Sequence, residues 1–298
     1  TDKSGRIRAL SNKIMAGGIG YKRSVAKKYL GTDDPAQVAR YFTSEEKKLE
    51  AAKKIKDASG GKVSLLPGWE ELVKIYLGGR KDPWIKDNKL VIDQKMIDLI
   101  DFAKKLKDYG YEKELRQWEP SWAESIADDE TSFAYCTPSW GIPYILGSND
   151  RKAIDGGRWG IVKAPYPYFW GGTWLGVYSK SQNKDLAWEF VKWFTNDKEQ
   201  LKAWNKDTDD IPSSISVLND YAKSTNVDKI TGQNLFKFYS SDAGTDKING
   251  SLLTAYDDAI ELAYVEAVRA YLKGEIKTKE DVINTFKSRV RSCLRMCR

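Results

Sequence analysis

Two hydrophobic periods alternate along this chain. Residues 159–164 and 173–179 carry the apolar, β-prone content of short strands, and a helix with a clear apolar stripe follows them. That helix begins at Asn183 and sets Leu186, Ala187, Phe190, Val191 and Phe194 on one face. Thr43 with Glu46 predicts a capping-box start for a helix to about Ala58, closed by Gly60 and Gly61. Asp93 begins another, with Met96, Ile97, Ile100 and Ala103 toward the core and Gly110 at its end. Thr278 with Asp281 reads as the capped start of the last helix, and residues 86–89 as a turn between two short runs. Short strands alternating with helices predict an α/β fold around a parallel sheet, with no internal repeat and no low-complexity linker.

Composition narrows the class. With 298 residues, 41% of them apolar and 12% aromatic, the chain is globular and long enough to bury a substantial core. The net charge of +7 points toward nucleic acid only until it is located. Lys287, Arg289, Arg291, Arg295 and Arg298 crowd the last thirteen residues without an acid, and the remainder carries only +2. Elsewhere lysines and acids alternate along helix faces, the pattern of a solvated surface. There is no histidine, which removes Ser-His-Asp and Cys-His catalysis and the commonest metal ligand. Of the three cysteines, Cys136 reads as a buried thiol. Cys293 and Cys297 are four apart without further ligands for zinc.

Candidate chemistry concentrates between residues 159 and 204. Tyr166, Tyr168, Phe169, Trp170 and Trp174 surround Gly171 and Gly172. Aromatic walls beside glycines that let the backbone come close suit a flat ligand with apolar and hydroxylated faces, such as a sugar ring. The same stretch, with Ala164-Pro165, Gly171-Gly172, residues 177–180 and residues 185–190, resembles the family 1 extracellular solute-binding proteins, sugar-type receptors of ABC transporters. Residues 17–43, 62–72, 129–146 and 252–274 resemble further segments of that family in the same order.

The resemblance implies a type II periplasmic-binding-protein-like α/β fold of two lobes. Residues 17–168 and 225–298 would then form a nearly complete C-terminal lobe, the latter ending in an atypical basic tail. Residues 1–16, with the first crossing, and 169–224, with the second, would be remnants of the N-terminal lobe. The chain is thus expected to be N-terminally incomplete, with the face of Leu186, Phe190 and Phe194 lacking a full partner. A chain of that kind is expected to aggregate or bind chaperones when expressed alone.

The implied function is capture of a mono- or oligosaccharide between hinged lobes and delivery to ABC permease subunits, at the outer face of the cell membrane or in the periplasm. No cofactor and no nucleic acid is implied. Trp69 follows the run LLPG at a strand end, where an indole either meets ligand or enters the core. Trp140 is presented from a Pro/Gly-broken loop, where the resemblance places a stacking tryptophan, with Tyr144 nearby. Gly171 and Gly172 allow amide approach or hinge bending, with Trp174 beside them. Tyr256 and Asp257 open the late helix, where the carboxylate grips vicinal hydroxyls or serves as a first-turn acid. The rival reading is a glycoside hydrolase with paired carboxylates such as Glu70 and Asp257.

Overall fold

The computed structural model describes residues 5–296. Its centre is β1 (Gly17–Lys22), buried at every position. A hairpin of β2 (Ile85–Lys86) and β3 (Lys89–Leu90) follows, turning through the left-handed Asp87 and Asn88 as the polar tetrapeptide predicts. β4 (Ala134–Pro138) and β5 (Trp159–Val162) then flank β1 in the order β4-β1-β5. Both neighbours are antiparallel to β1, with Ile19 opposite Cys136 on one side and Val162 on the other.

The expectation of a parallel sheet is therefore corrected. Among the described residues parallel pairing is confined to isolated bridges, Ser64 with Ser132 and Leu66 with Glu112. The apolar pattern misleads because strands buried on both faces read the same in either direction. Ile19, Tyr21, Ala134, Cys136 and Val162 enter one core with the helices Glu45–Ala58, Gln94–Asp108, Asp257–Leu272 and Lys279–Met296. Tyr135, Trp159 and Ile161 enter a second core with Trp122, Ile142 and Phe238.

Lys22 lies buried at the end of β1. Its Nζ sits over the rings of Tyr135 and Trp159, 5.3 and 5.7 Å from their centroids. It donates to the carbonyl of Ser125 at 2.7 Å and to that of Asp128, closing the end of the helix Pro120–Ala127. Burial pushes its ammonium down to about 7.

The helix boundaries follow the punctuation closely, with one shift. The cap of Glu45–Ala58 is Ser44, not Thr43, and its hydroxyl accepts from Lys47 N. Asp93 caps Gln94–Asp108 through Lys95 N, and Gly60, Gly61 and Gly110 are all left-handed. Residues 173–179 form no strand. Leu175 pairs with Leu10 in one bridge, while Trp174 and Tyr178 point to solvent. On the helix Lys184–Asn196, Val191 is buried but Leu186 is 72% exposed and Phe190 is exposed too. Cys297 and Arg298 lie outside the described residues, so the Cys293–Cys297 pair is not placed. No helix among the described residues is long and apolar enough to cross a membrane.

Candidate ligand-binding site

Residues 10–16 run antiparallel to residues 168–175. Gly17 N donates to Tyr168 O, Trp170 N to Met15 O, and Leu10 and Leu175 exchange both backbone bonds. The sequence permits this close pairing because Gly17 has no side chain. A Cβ there would lie 1.9 Å from the Tyr168 ring. That ring is fixed in turn, its hydroxyl donating to Gly18 O at 2.7 Å and accepting from Cys136 Sγ at 3.0 Å.

Beyond Tyr168 the chain turns through the left-handed Gly171 (φ 75°), which passes the edge of Trp140. Trp140 Nε1 donates to Trp170 O at 2.7 Å, so the loop after β4 is pinned to this turn. Two hollows meet at Gly171 and Gly172. One, of about 340 Å³, is walled by Arg80, Trp174, Leu252, Asp257 and Glu261 among others. The other, of about 150 Å³, is walled by Lys13, Met15, Trp140 and Tyr144.

The larger hollow mixes donors and acceptors on an apolar frame. Asp257 Oδ1 accepts from Thr254 N at 2.9 Å and from its hydroxyl at 2.5 Å. Its Oδ2 faces Arg80 Nη2 at 3.4 Å. Arg80 is buried against Trp84, 4.9 Å from the ring, and its Nη1 has no partner among the described residues. Lys74 pairs with Glu261 at 2.7 Å, and the exposed Asp258 lies alongside. Tyr264 holds the Asp257–Leu272 helix in place by donating to Met96 O at 2.7 Å. Carboxylates that accept, cations that donate and an exposed indole are the complement of a polyhydroxylated ring. No cluster of metal-ligating side chains occurs among the described residues.

The model of the bacterial extracellular solute-binding proteins matches residues 17–229. The chain belongs to that family. The fold agrees with this membership. A crystal structure of an extracellular solute-binding protein of family 1 superposes with a TM-score of 0.80 at 16% identity, covering 97% of this chain and 73% of that one. The ABC-transporter-associated binding protein of B. animalis subsp. lactis Bl-04, in complex with beta-1,6-galactobiose, gives 0.71 at 16% identity, covering 95% and 72%. The maltotriose-binding protein of Pyrococcus abyssi (strain GE5 / Orsay) is 35% identical over 88 residues, which are 26% of this chain and 19% of that protein. The match to that curated relative thus spans about a fifth of its length.

Within this solute-binding protein the expected site residues divide. Gly171, Gly172, Trp174 and Asp257 share the larger hollow, and Trp140 and Tyr144 the smaller one that adjoins it. Tyr256 is exposed before the Asp257–Leu272 helix and lines neither hollow. Trp69 is corrected to a core position. Only 5% exposed, it borders a separate hollow of about 70 Å³ with Glu70, Glu112 and Arg269. The turn Trp69–Leu72 swings the indole inward because Glu71, two residues on, is itself anchored in the core. The carboxylate pair of the hydrolase reading is not assembled either. Glu70 is clamped by Arg269 at 2.6 Å in that other hollow, apart from Asp257.

Arg80 and Lys74 are the residues the local pattern leaves unmarked. Their one signal is Gly78 between them, where a Cβ would come within 2.3 Å of Pro167 O. That glycine lets the helix Val73–Gly78 abut the segment leading to Gly171.

Proposed function

We propose that this chain is the substrate-binding component of an ABC importer, holding a mono- or oligosaccharide at the Gly171–Gly172 turn. The observation that carries the reading is the convergence at that turn of Trp140, Trp174 and Asp257, beside the buried Arg80. Indole faces stack on the apolar face of a pyranose, and Asp257 and Glu261 accept from its hydroxyls while Lys74 and Arg80 orient the carboxylates. The names of relatives support a saccharide, since one is a maltotriose-binding protein and another was solved with beta-1,6-galactobiose.

In this proposal residues 17–168 and 225–298 act as one lobe, and residues 1–16 with 169–224 belong to the other. The paired segments 10–16 and 168–175 are the crossings about which they close. The closed form delivers its sugar to a membrane permease outside the cytoplasm. No cofactor takes part. Intrinsic tryptophan fluorescence across a sugar panel tests the reading. A saturable change with at least one saccharide, reduced tenfold or more in affinity by Trp140→Ala, is expected. No response to any saccharide from the chain, alone or joined to the N-terminal lobe of a solved relative, would remove the sugar as the solute.

A further inference from the structure

Residues 112–119 lead into the helix Pro120–Ala127, and two of them, Glu114 and Trp118, adopt left-handed backbone (φ 56° and 72°). Glu114 has a local reason, since its N–H donates to the Glu112 carboxylate at 2.5 Å. Trp118 has none. A bulky side chain is disfavoured at such a φ, where glycine sits freely. Burial does not offset the strain, because the residue is 59% exposed. Strain retained at an exposed aromatic points toward function rather than packing.

What the strained backbone achieves is the placement of one ring. The indole of Trp118 lies within 11° of parallel to that of Trp140, their centroids 6.4 Å apart. Each stands edge-on to Trp170, at 70° and 5.6 Å for Trp118 and at 65° and 6.0 Å for Trp140. The buried Trp122 supports Trp118 at 5.4 Å. Beneath them Glu71 accepts from Trp122 Nε1 at 2.7 Å, from Cys136 N at 2.5 Å and from the Gln117 side chain. One buried carboxylate thus anchors both the loop that carries Trp118 and the strand that leads to Trp140.

We propose that Trp118 is a ligand-binding residue that carries the aromatic surface of the site beyond Trp140 and stacks on a further ring of a ligand longer than a monosaccharide. The proposal rests on the sugar-receptor reading above and adds to it the class of sugar. A monosaccharide held at Trp140 and the Gly171–Gly172 turn leaves Trp118 idle. A di- or trisaccharide does not.

The experiment is titration of the chain, and of its Trp118→Ala, Trp118→Gly and Trp140→Ala variants, with galactose, β-1,6-galactobiose, glucose, maltose and maltotriose. Expected is a di- or trisaccharide whose Kd rises about tenfold, ~1.4 kcal/mol, in both Trp118 variants. The Kd of its monosaccharide stays within about twofold. Trp118→Gly relieves the backbone while removing the ring, so an undiminished Tm with the same loss of affinity separates stacking from folding. The proposal is overturned if oligosaccharide affinity survives both Trp118 variants while Trp140→Ala destroys it, an outcome that leaves the receptor reading standing. Equal weakening of mono- and oligosaccharides, or binding of monosaccharides alone, also overturns it. Binding of none of the five sugars by the unaltered chain, alone or joined to the N-terminal lobe of a solved relative, removes the receptor reading and this proposal together.

Discussion

Asp257 serves two neighbours through separate oxygens, and the division decides what its loss does. Oδ1 closes the turn at Thr254, and Oδ2 is the counter-charge of an arginine whose side chain is nearly inaccessible. Replacing Asp257 by alanine leaves the buried Arg80 guanidinium without its hydrogen-bonded acid, with only the longer-range charges of Asp93 and Glu261 beside it, and removing one partner of a buried pair costs several kcal/mol. We expect Asp257→Ala to lower the stability measured by urea unfolding by on the order of 3 kcal/mol. Asp257→Asn keeps an acceptor for Thr254 and loses only the charge, so its cost falls between. If both variants lose less than about 1 kcal/mol, the pair behaves as a solvated surface bridge and Arg80 is not held by Asp257. The same arginine explains why the site was only partly legible. Its side chain meets Trp84 four residues on, Leu77 three residues back and Asp257 far along the chain, and no window of sequence contains that set.

At the scale of elements, what is local was readable and what is relational was not. Asp93, Gly60, Gly61 and Gly110 punctuate their helices where their chemistry says they should, because capping and left-handed termination involve only a few adjacent residues. Adjacent candidates within one turn are harder to separate. Thr43 and Ser44 both offer a hydroxyl, but the Thr43 hydroxyl donates back to Arg40 O while that of Ser44 accepts from Lys47 N. Ser44→Ala is therefore expected to cost about 1 kcal/mol of stability, within the 0.5–2 range of lost N-caps, and Thr43→Ala a few tenths. Thermal unfolding of the two variants decides it, and the reverse order would move the cap back to Thr43. Strand direction, by contrast, depends on residues over a hundred positions apart in β1 and β4. The inward turn of Trp69 depends on Glu71 meeting Trp122 and Cys136 N. The left-handed Trp118 carries no residue-type signal at all, since tryptophan is among the last residues expected there.

Across the whole molecule, four buried ionisable groups set a pH dependence opposite to that of ordinary surface charge. Burial pushes the carboxyls of Glu71 and Glu112 up to about 7, and pushes the ammonium groups of Lys22 and Lys48 down to about 7 and about 8. For the two acids the folded state holds its proton between about pH 4.5 and 7 while the unfolded chain does not. Their contribution is fully present below the unfolded value and is lost as pH rises through the folded one. For the two lysines the unfolded chain holds the proton between about 7 and 10.5 while the folded state has released it, so stability climbs with pH over that interval. The two limbs meet near neutrality. Stability from urea midpoints is expected to fall between pH 5 and 7 and to recover between pH 8 and 9.5. Glu71 alone contributes on the order of 3 kcal/mol to the acid limb, at 1.36 kcal/mol per pKa unit. Glu71→Gln should remove about half of that fall while keeping an oxygen for Trp122 Nε1, Glu112 supplying the rest, and Lys22→Met should remove somewhat more than half of the alkaline recovery, Lys48 supplying the rest. A profile that rises steadily from pH 5 to 8 would mean that both acids are ionised throughout. Glu71 would then be stabilised as a carboxylate by its three donors, and the anchor beneath Trp118 and Trp140 would carry a permanent negative charge.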